Sequence, residues 1–126
     1  MTEYIGIPYK VGGRTREEGL DCYGLIRLIL NERFGKSLPA LDEYREIGPG
    51  SGSAEAIDAG RPLIDAKSVD TLQDGDIVAM RIRGVLSHLG VYIGGWVIHT
   101  LSGHNSVAER LDGIRMKGRV EGFYRV

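Results

Sequence analysis

The sequence lacks most of what would make it anything other than a self-contained folded domain. Its one cysteine, Cys22, has no partner for an internal disulfide, so cross-links say nothing about compartment. No apolar run approaches the roughly 20 residues of a membrane-spanning helix, and membrane insertion is not expected. The opening Met1-Thr2-Glu3-Tyr4 lacks the basic segment and apolar core of a signal peptide. That predicts synthesis in the cytoplasm, with delivery by another route if the substrate lies outside. Neither sign of charge dominates: 16 Lys and Arg stand against 17 Asp and Glu, which removes the electrostatic case for nucleic acid. There is no internal repeat and no low-complexity stretch. What remains is 126 residues read as one domain, 1–126, long enough to bury a core without staples. The 19 glycines are scattered among turn signals, which suits tight turns and not disorder.

The period of the apolar residues changes along the chain. Leu25, Ile26, Ile29 and Leu30 share one helical face, Asp21 is a good N-cap and Gly35 a ready stop. Together they predict a helix from Asp21 to Phe34. Residues 1–20, with Pro8 and Gly12-Gly13, read as an ordered loop with a brief helical turn, and Arg14 to Gly19 as polar and exposed. Lys36 to Gly52 reads as a surface loop, and Ser53 to Ala59 as a short helix stopped by Gly60 and Pro62. Beyond Asp74-Gly75-Asp76 the pattern is that of strands: Ile77 to Ile82, Leu86 to Ile93, Trp96 to Leu101, Ser106 to Arg110 and Arg119 to Val126. Asp112 to Gly118 reads as a connector. Helices first and an antiparallel meander afterwards define an α+β chain.

Cys22 opens the predicted helix, where unpaired N–H groups and the macrodipole favour an anion, and such a setting makes a thiol nucleophilic. A lone cysteine is also a small hydrophobe that packs well, so the thiol needs a base before it becomes a catalyst. Gly94-Gly95 is a strong two-residue hairpin signal, and it sets Ile93 opposite Trp96. His99 then faces Gly90. His88 and His99 become diagonal neighbours on one sheet face, about 7 Å or less apart at Cβ. Leu89, Val91, Ile93, Trp96 and Ile98 form the opposite, apolar face. A metal site made of Cys22, His88, His99 and a fourth ligand is the alternative, but no C-x-x-C or H-x-x-x-H spacing accompanies it. His104, in a Gly-Asn turn, reads as a solvated loop residue.

Several blocks in this order resemble one known family. They are Gly6-Ile7-Pro8-Tyr9, Leu20-Asp21-Cys22-Tyr23-Gly24-Leu25, Asp74-Gly75-Asp76-Ile77-Val78, Ser87-His88-Leu89-Gly90-Val91-Tyr92-Ile93-Gly94 and Val97-Ile98-His99-Thr100. They closely resemble the NlpC/P60 family of cell-wall peptidases. The helix continuation Arg27-Leu28 and the run from Phe34 to Pro39 look like the branch found in tail-tip assembly proteins of phages and prophages.

The resemblance implies a papain-like α+β fold and a cysteine peptidase that needs no cofactor and no metal. Cys22 would be the nucleophile, His88 the general base and acid, and His99 the residue that orients His88. Tyr9, Asp21, Tyr23 and Ser87 would line the substrate site, with Asp21 helping to bind a free amine. Tyr23 stands where the family commonly has serine, so that serine's contacts do not carry over. The implied partner is a peptidoglycan stem peptide, cut at an amide such as the D-γ-glutamyl–diamino acid bond, with phage tail proteins as further partners. The implied place of action is the bacterial cell wall, from a virion tail. A silent tail-tip structural protein and an acyltransferase or amidase on the same fold are the competing readings.

Overall fold

The computed structural model describes residues 2–10, 13–38, 67–82, 85–100 and 103–126. All of the predicted loop Lys36 to Gly52 after Leu38, the predicted helix Ser53 to Ala59 and the Arg83-Gly84 reversal lie outside the described residues.

A 3-10 turn at Thr2–Tyr4 opens the fold, and a small hairpin of β1 (Arg14–Thr15) and β2 (Gly19–Leu20) follows. This hairpin occupies the stretch expected to be a polar loop. Helix α1 spans Cys22–Phe34 and ends at Gly35, whose φ of 66° is left-handed and whose N–H reaches Leu30 O. The predicted start, stop and apolar face of α1 are all as observed. Leu25, Ile26, Ile29 and Leu30 are 0–1% exposed. Burying each contributes about 1.5–3 kcal/mol, so α1 is held by its packed face and not by intrinsic propensity.

Six strands form an antiparallel sheet: β3 (Lys67–Ser68), β4 (Ile77–Ile82), β5 (Val85–Ile93), β6 (Trp96–His99), β7 (Val107–Arg110) and β8 (Val120–Arg125). Their order across the sheet is β3-β8-β4-β5-β6-β7. The two-residue β3 carries no apolar alternation and was not legible beforehand. The predicted connector holds one short helix, α2 (Ile114–Lys117), because Met116 is buried at 0% exposure and pins that turn to the sheet.

The two sheet faces have different neighbours. Ile77, Ala79, Leu89, Val91, Ile93 and Ile98 pack with α1, whereas Val78, Met80 and Val97 pack with Met116 of α2. Two polar clamps fix the ends of this arrangement. Arg125 forks onto Asp76, with Nε to Oδ1 and Nη2 to Oδ2 both at 2.8 Å, and joins β8 to the turn before β4. Ser106 accepts the Ile7 N–H at 2.8 Å and donates to Tyr4 O at 2.7 Å, which ties the N-terminal segment to the start of edge strand β7.

Candidate active site

The helix start is built by contacts from three directions. Tyr9 bridges to Leu20, while Lys10 N–H donates to Leu20 O and Leu20 N–H to Pro8 O. The chain then turns through Asp21, which is extended at φ −85° and ψ −177° and whose Oδ1 accepts the Gly24 N–H at 2.7 Å. Only glycine fits at position 24, because a Cβ there would stand 2.7 Å from Gly13 O. Cys22 is the first residue of α1, 4% exposed and outside any disulfide. Half-buried Tyr9 lies close enough to feel it. Burial, then the charges of Cys22 and Asp21, push the Tyr9 hydroxyl up to about 12, so it stays a proton donor at neutral pH.

On the sheet, the hairpin register is the predicted one: Ile93 pairs with Trp96 and Gly90 with His99. Gly94 and Gly95, at φ 55° and 94°, supply the two positive-φ positions that the tight loop requires. His88 Nε2 and His99 Nδ1 stand 2.9 Å apart, with ring centroids at 5.0 Å and planes at 74°. A Cβ at Gly90 would lie 2.7 Å from Val97 Cγ1 and 3.1 Å from Met80 Cε, so glycine leaves the room these neighbours take beside the imidazoles. By register His88 shares the face of its partner Met80 and alternates with Leu89, which packs against α1.

Just before His88 the ladder breaks. Met80 pairs with His88 but Arg81 pairs with Leu86, so Ser87 is an extra residue on β5. Such bulges add twist and re-aim neighbouring side chains. Both imidazoles are nearly sealed from water, His88 at 3% and His99 at 1% exposure. Burial first, then the charge of His99 and then Arg119, hold His88 down to about 3. Burial also holds His99 below its ordinary value, against an upward pull from Glu109.

Glu109 is the residue that sequence reasoning missed. Its Oε2 stands 2.6 Å from His99 Nε2, so His99 has a carboxylate behind it. Val97 pairs with Glu109 and His99 with Val107, which makes Glu109 diagonal to His99 as His88 is on the other side. The same register arithmetic would have found it, but the seven residues between β6 and β7 hide the register.

The predicted residues thus fall into two groups, Tyr9-Asp21-Cys22 at the helix start and His88-His99 on the sheet, with α1 packed on β5 and β6. Tyr23 lies in the apolar cluster with α1, 5% exposed. Ser87 is placed at the bulge, and its side chain lies outside the described residues. His104 is exposed in a turn, as expected. The alternative of a metal site meets a competing use of its ligands: His88 and His99 bond to one another, and no group of three His, Cys, Asp or Glu among the described residues is arranged for a metal.

Comparison with known proteins extends this picture. The chain is 30% identical over 93 residues to the murein DD-endopeptidase MepS/murein LD-carboxypeptidase of Escherichia coli K12, covering 73% of this chain and 40% of that protein. It is 28% identical over 95 residues to the gamma-DL-glutamyl hydrolase of Bacillus subtilis 168, covering 19% of that protein. It therefore spans well under half the length of these relatives. Among solved structures, the NlpC/P60 domain of the peptidoglycan hydrolase SagA superimposes with a TM-score of 0.59 at 21% identity, over 98% of this chain and 90% of that one. An NlpC/P60 family protein from Bacillus cereus gives 0.63 at 22% identity, over 97% of this chain and 36% of that one. These likenesses establish the α+β fold. The NlpC/P60 family model matches residues 6–125, which leaves almost none of the sequence outside it: this chain belongs to the NlpC/P60 family.

Proposed function

We propose that this domain is a cysteine peptidase that hydrolyses amide bonds in peptidoglycan stem peptides. The observation that carries the reading is the buried His88–His99 pair at 2.9 Å, a base already matched to an orienting partner. Cys22 at its capped helix start supplies the nucleophile. Deprotonated by His88, its sulfur attacks the amide carbonyl and a C–S bond forms. The oxyanion is met by the Cys22 backbone N–H and the Tyr9 hydroxyl, both donors at neutral pH. His88 then gives its proton to the leaving amine as the C–N bond breaks. Water attacks the thioester, His88 takes its proton, and the acid product departs with the thiol restored.

The D-γ-glutamyl–diamino acid bond is the proposed target. The relatives that carry the names murein DD-endopeptidase and gamma-DL-glutamyl hydrolase support a cell-wall or γ-glutamyl amide, and action at the bacterial wall follows from that substrate. Arg27-Leu28 and the run from Phe34 to Pro39 favour delivery on a phage or prophage tail. Mass spectrometry of purified muropeptides incubated with wild type and Cys22→Ala tests the activity. Cleavage by wild type alone is expected; cleavage by both, or by neither, rejects it. Immunogold labelling of induced virions tests the delivery, with label at the tail tip expected and its absence from tails contradicting that part.

A further inference from the structure

Three side chains form a diagonal row across β5, β6 and β7, and each step of the row is a hydrogen bond. His88 Nε2 meets His99 Nδ1 at 2.9 Å, and His99 Nε2 meets Glu109 Oε2 at 2.6 Å. The far end of the row is anchored on basic residues: Arg119 Nη1 lies 3.7 Å from Oε2, and Arg115 Nη1 lies 3.9 Å from Oε1. A glutamate carboxylate only accepts hydrogen bonds. The short contact therefore requires the proton of neutral His99 to sit on Nε2. His99 Nδ1 is then left with a lone pair, which accepts from His88 Nε2–H. Neutral His88 in turn must carry its lone pair on Nδ1, the only ring nitrogen that is not already engaged with His99.

We infer that Glu109 is a positioning residue that sets the tautomer of His99 and, through it, of His88, so that Nδ1 of His88 is the nitrogen available to a proton donor. The catalytic consequence rests on the peptidase reading above, in which that donor is the Cys22 thiol; the tautomer order itself does not. Without Glu109 the row can reverse. His99 can then hold its proton on Nδ1 and donate to His88 Nε2, which moves the His88 proton to Nδ1 and disables it as a base. Glu109 bonds to His99 and pairs with Arg115 and Arg119, so it acts on His88 through His99.

Long-range 1H–15N correlation spectra of the wild type at pH 7.5 test the inference without any substrate. Both imidazoles are expected as Nε2–H tautomers; a His99 protonated on Nδ1 overturns the inference, and this spectrum decides the matter even if no variant folds. In folded Glu109→Ala, His99 and His88 are expected to show mixed or reversed tautomers. Alkylation of Cys22 by iodoacetamide at pH 7.5 should slow at least fivefold. Turnover of a muropeptide should fall about 10–100-fold in kcat, with KM within twofold. Glu109→Gln retains an accepting oxygen and is expected to recover most of both the tautomer order and the alkylation rate. Unchanged tautomers and alkylation in Glu109→Ala overturn the positioning role. If the wild type shows the expected tautomers yet cleaves no muropeptide, the peptidase reading fails and this inference stands. If the wild type cleaves and its tautomers do not depend on Glu109, the inference alone fails.

Discussion

His88 and Glu109 stand on strands that do not pair with one another, and each reaches the same residue, His99, on an opposite ring nitrogen. The row keeps two imidazoles buried and neutral, and this makes stability depend on pH. In the unfolded chain both histidines take up a proton near pH 6.5. In the fold, burial and then the charge of His99 hold His88 down to about 3, and burial holds His99 below its ordinary value. As pH falls through 6.5 the unfolded state gains protons that the folded state refuses, so stability is full above that pH and lost below it. Each such proton contributes a slope of about 1.4 kcal/mol per pH unit. Urea midpoints should therefore fall between pH 7.5 and pH 5.0, a window above the range where most carboxylates titrate. His88→Asn should flatten that fall. Equal midpoints at the two pH values would contradict the buried, neutral pair.

Gly90 is held by its neighbours and not by its backbone angles. A Cβ there would meet Val97 Cγ1 at 2.7 Å, Ile98 O at 3.0 Å and Met80 Cε at 3.1 Å. Met80 can move its tip, but Val97 is β-branched and the Ile98 carbonyl belongs to the ladder. Gly90→Ala should cost about 1–3 kcal/mol, in the range of other overpacked cores. Chemical denaturation checks this, and a midpoint equal to that of wild type would show that β5 and β6 can part without penalty.

How much of this was legible beforehand depends on the distance over which a pattern acts. Asp21, Gly35 and the four apolar residues between them specify α1 locally, and its bounds were readable. Gly94-Gly95 fixed the register of β5 against β6, and with it the meeting of His88 and His99. Beyond one tight turn that reasoning stopped. The segment joining β6 to β7 is too long to carry a register, so Glu109 looked like any strand acid. The bulge at Ser87 also left no mark, since it arises from pairing with β4 and not from its own residues. Tyr23 is buried in the apolar cluster with α1, a place that helical geometry sets and that its neighbour Cys22 does not reveal.

Asp21 caps α1, and its proposed part in substrate binding can be separated from that. As the N-cap its Oδ1 accepts the Gly24 N–H at 2.7 Å, and asparagine can accept the same bond. Asp21→Ala should therefore cost about 1 kcal/mol, whereas Asp21→Asn should stay within about 0.5 kcal/mol of wild type. If the carboxylate also binds the free amine of a stem peptide, Asp21→Asn raises KM for that peptide and leaves KM for its N-acetylated form unchanged. Equal KM values for Asp21→Asn and wild type on the free-amine peptide would confine Asp21 to capping.

Ser106 links the edge of the sheet to the segment that carries Tyr9. Its hydroxyl accepts from Ile7 N–H and donates to Tyr4 O, and its backbone exchanges two more bonds with Gly6 and Ile7 at 2.8 and 2.9 Å. The side chain is 1% exposed, so water cannot replace the lost partner. Ser106→Ala should cost about 1–3 kcal/mol, the usual penalty for leaving buried backbone groups unpaired. The backbone bonds survive, so the segment loosens without detaching. Because that segment positions Tyr9 beside the thiol, kcat should fall along with stability, and the fall should vanish in a Tyr9→Phe background, where no hydroxyl remains to misplace. A double-mutant cycle in kcat/KM measures this coupling. Additive effects of Ser106→Ala and Tyr9→Phe would separate the clamp from the site and leave Ser106 a stability residue only.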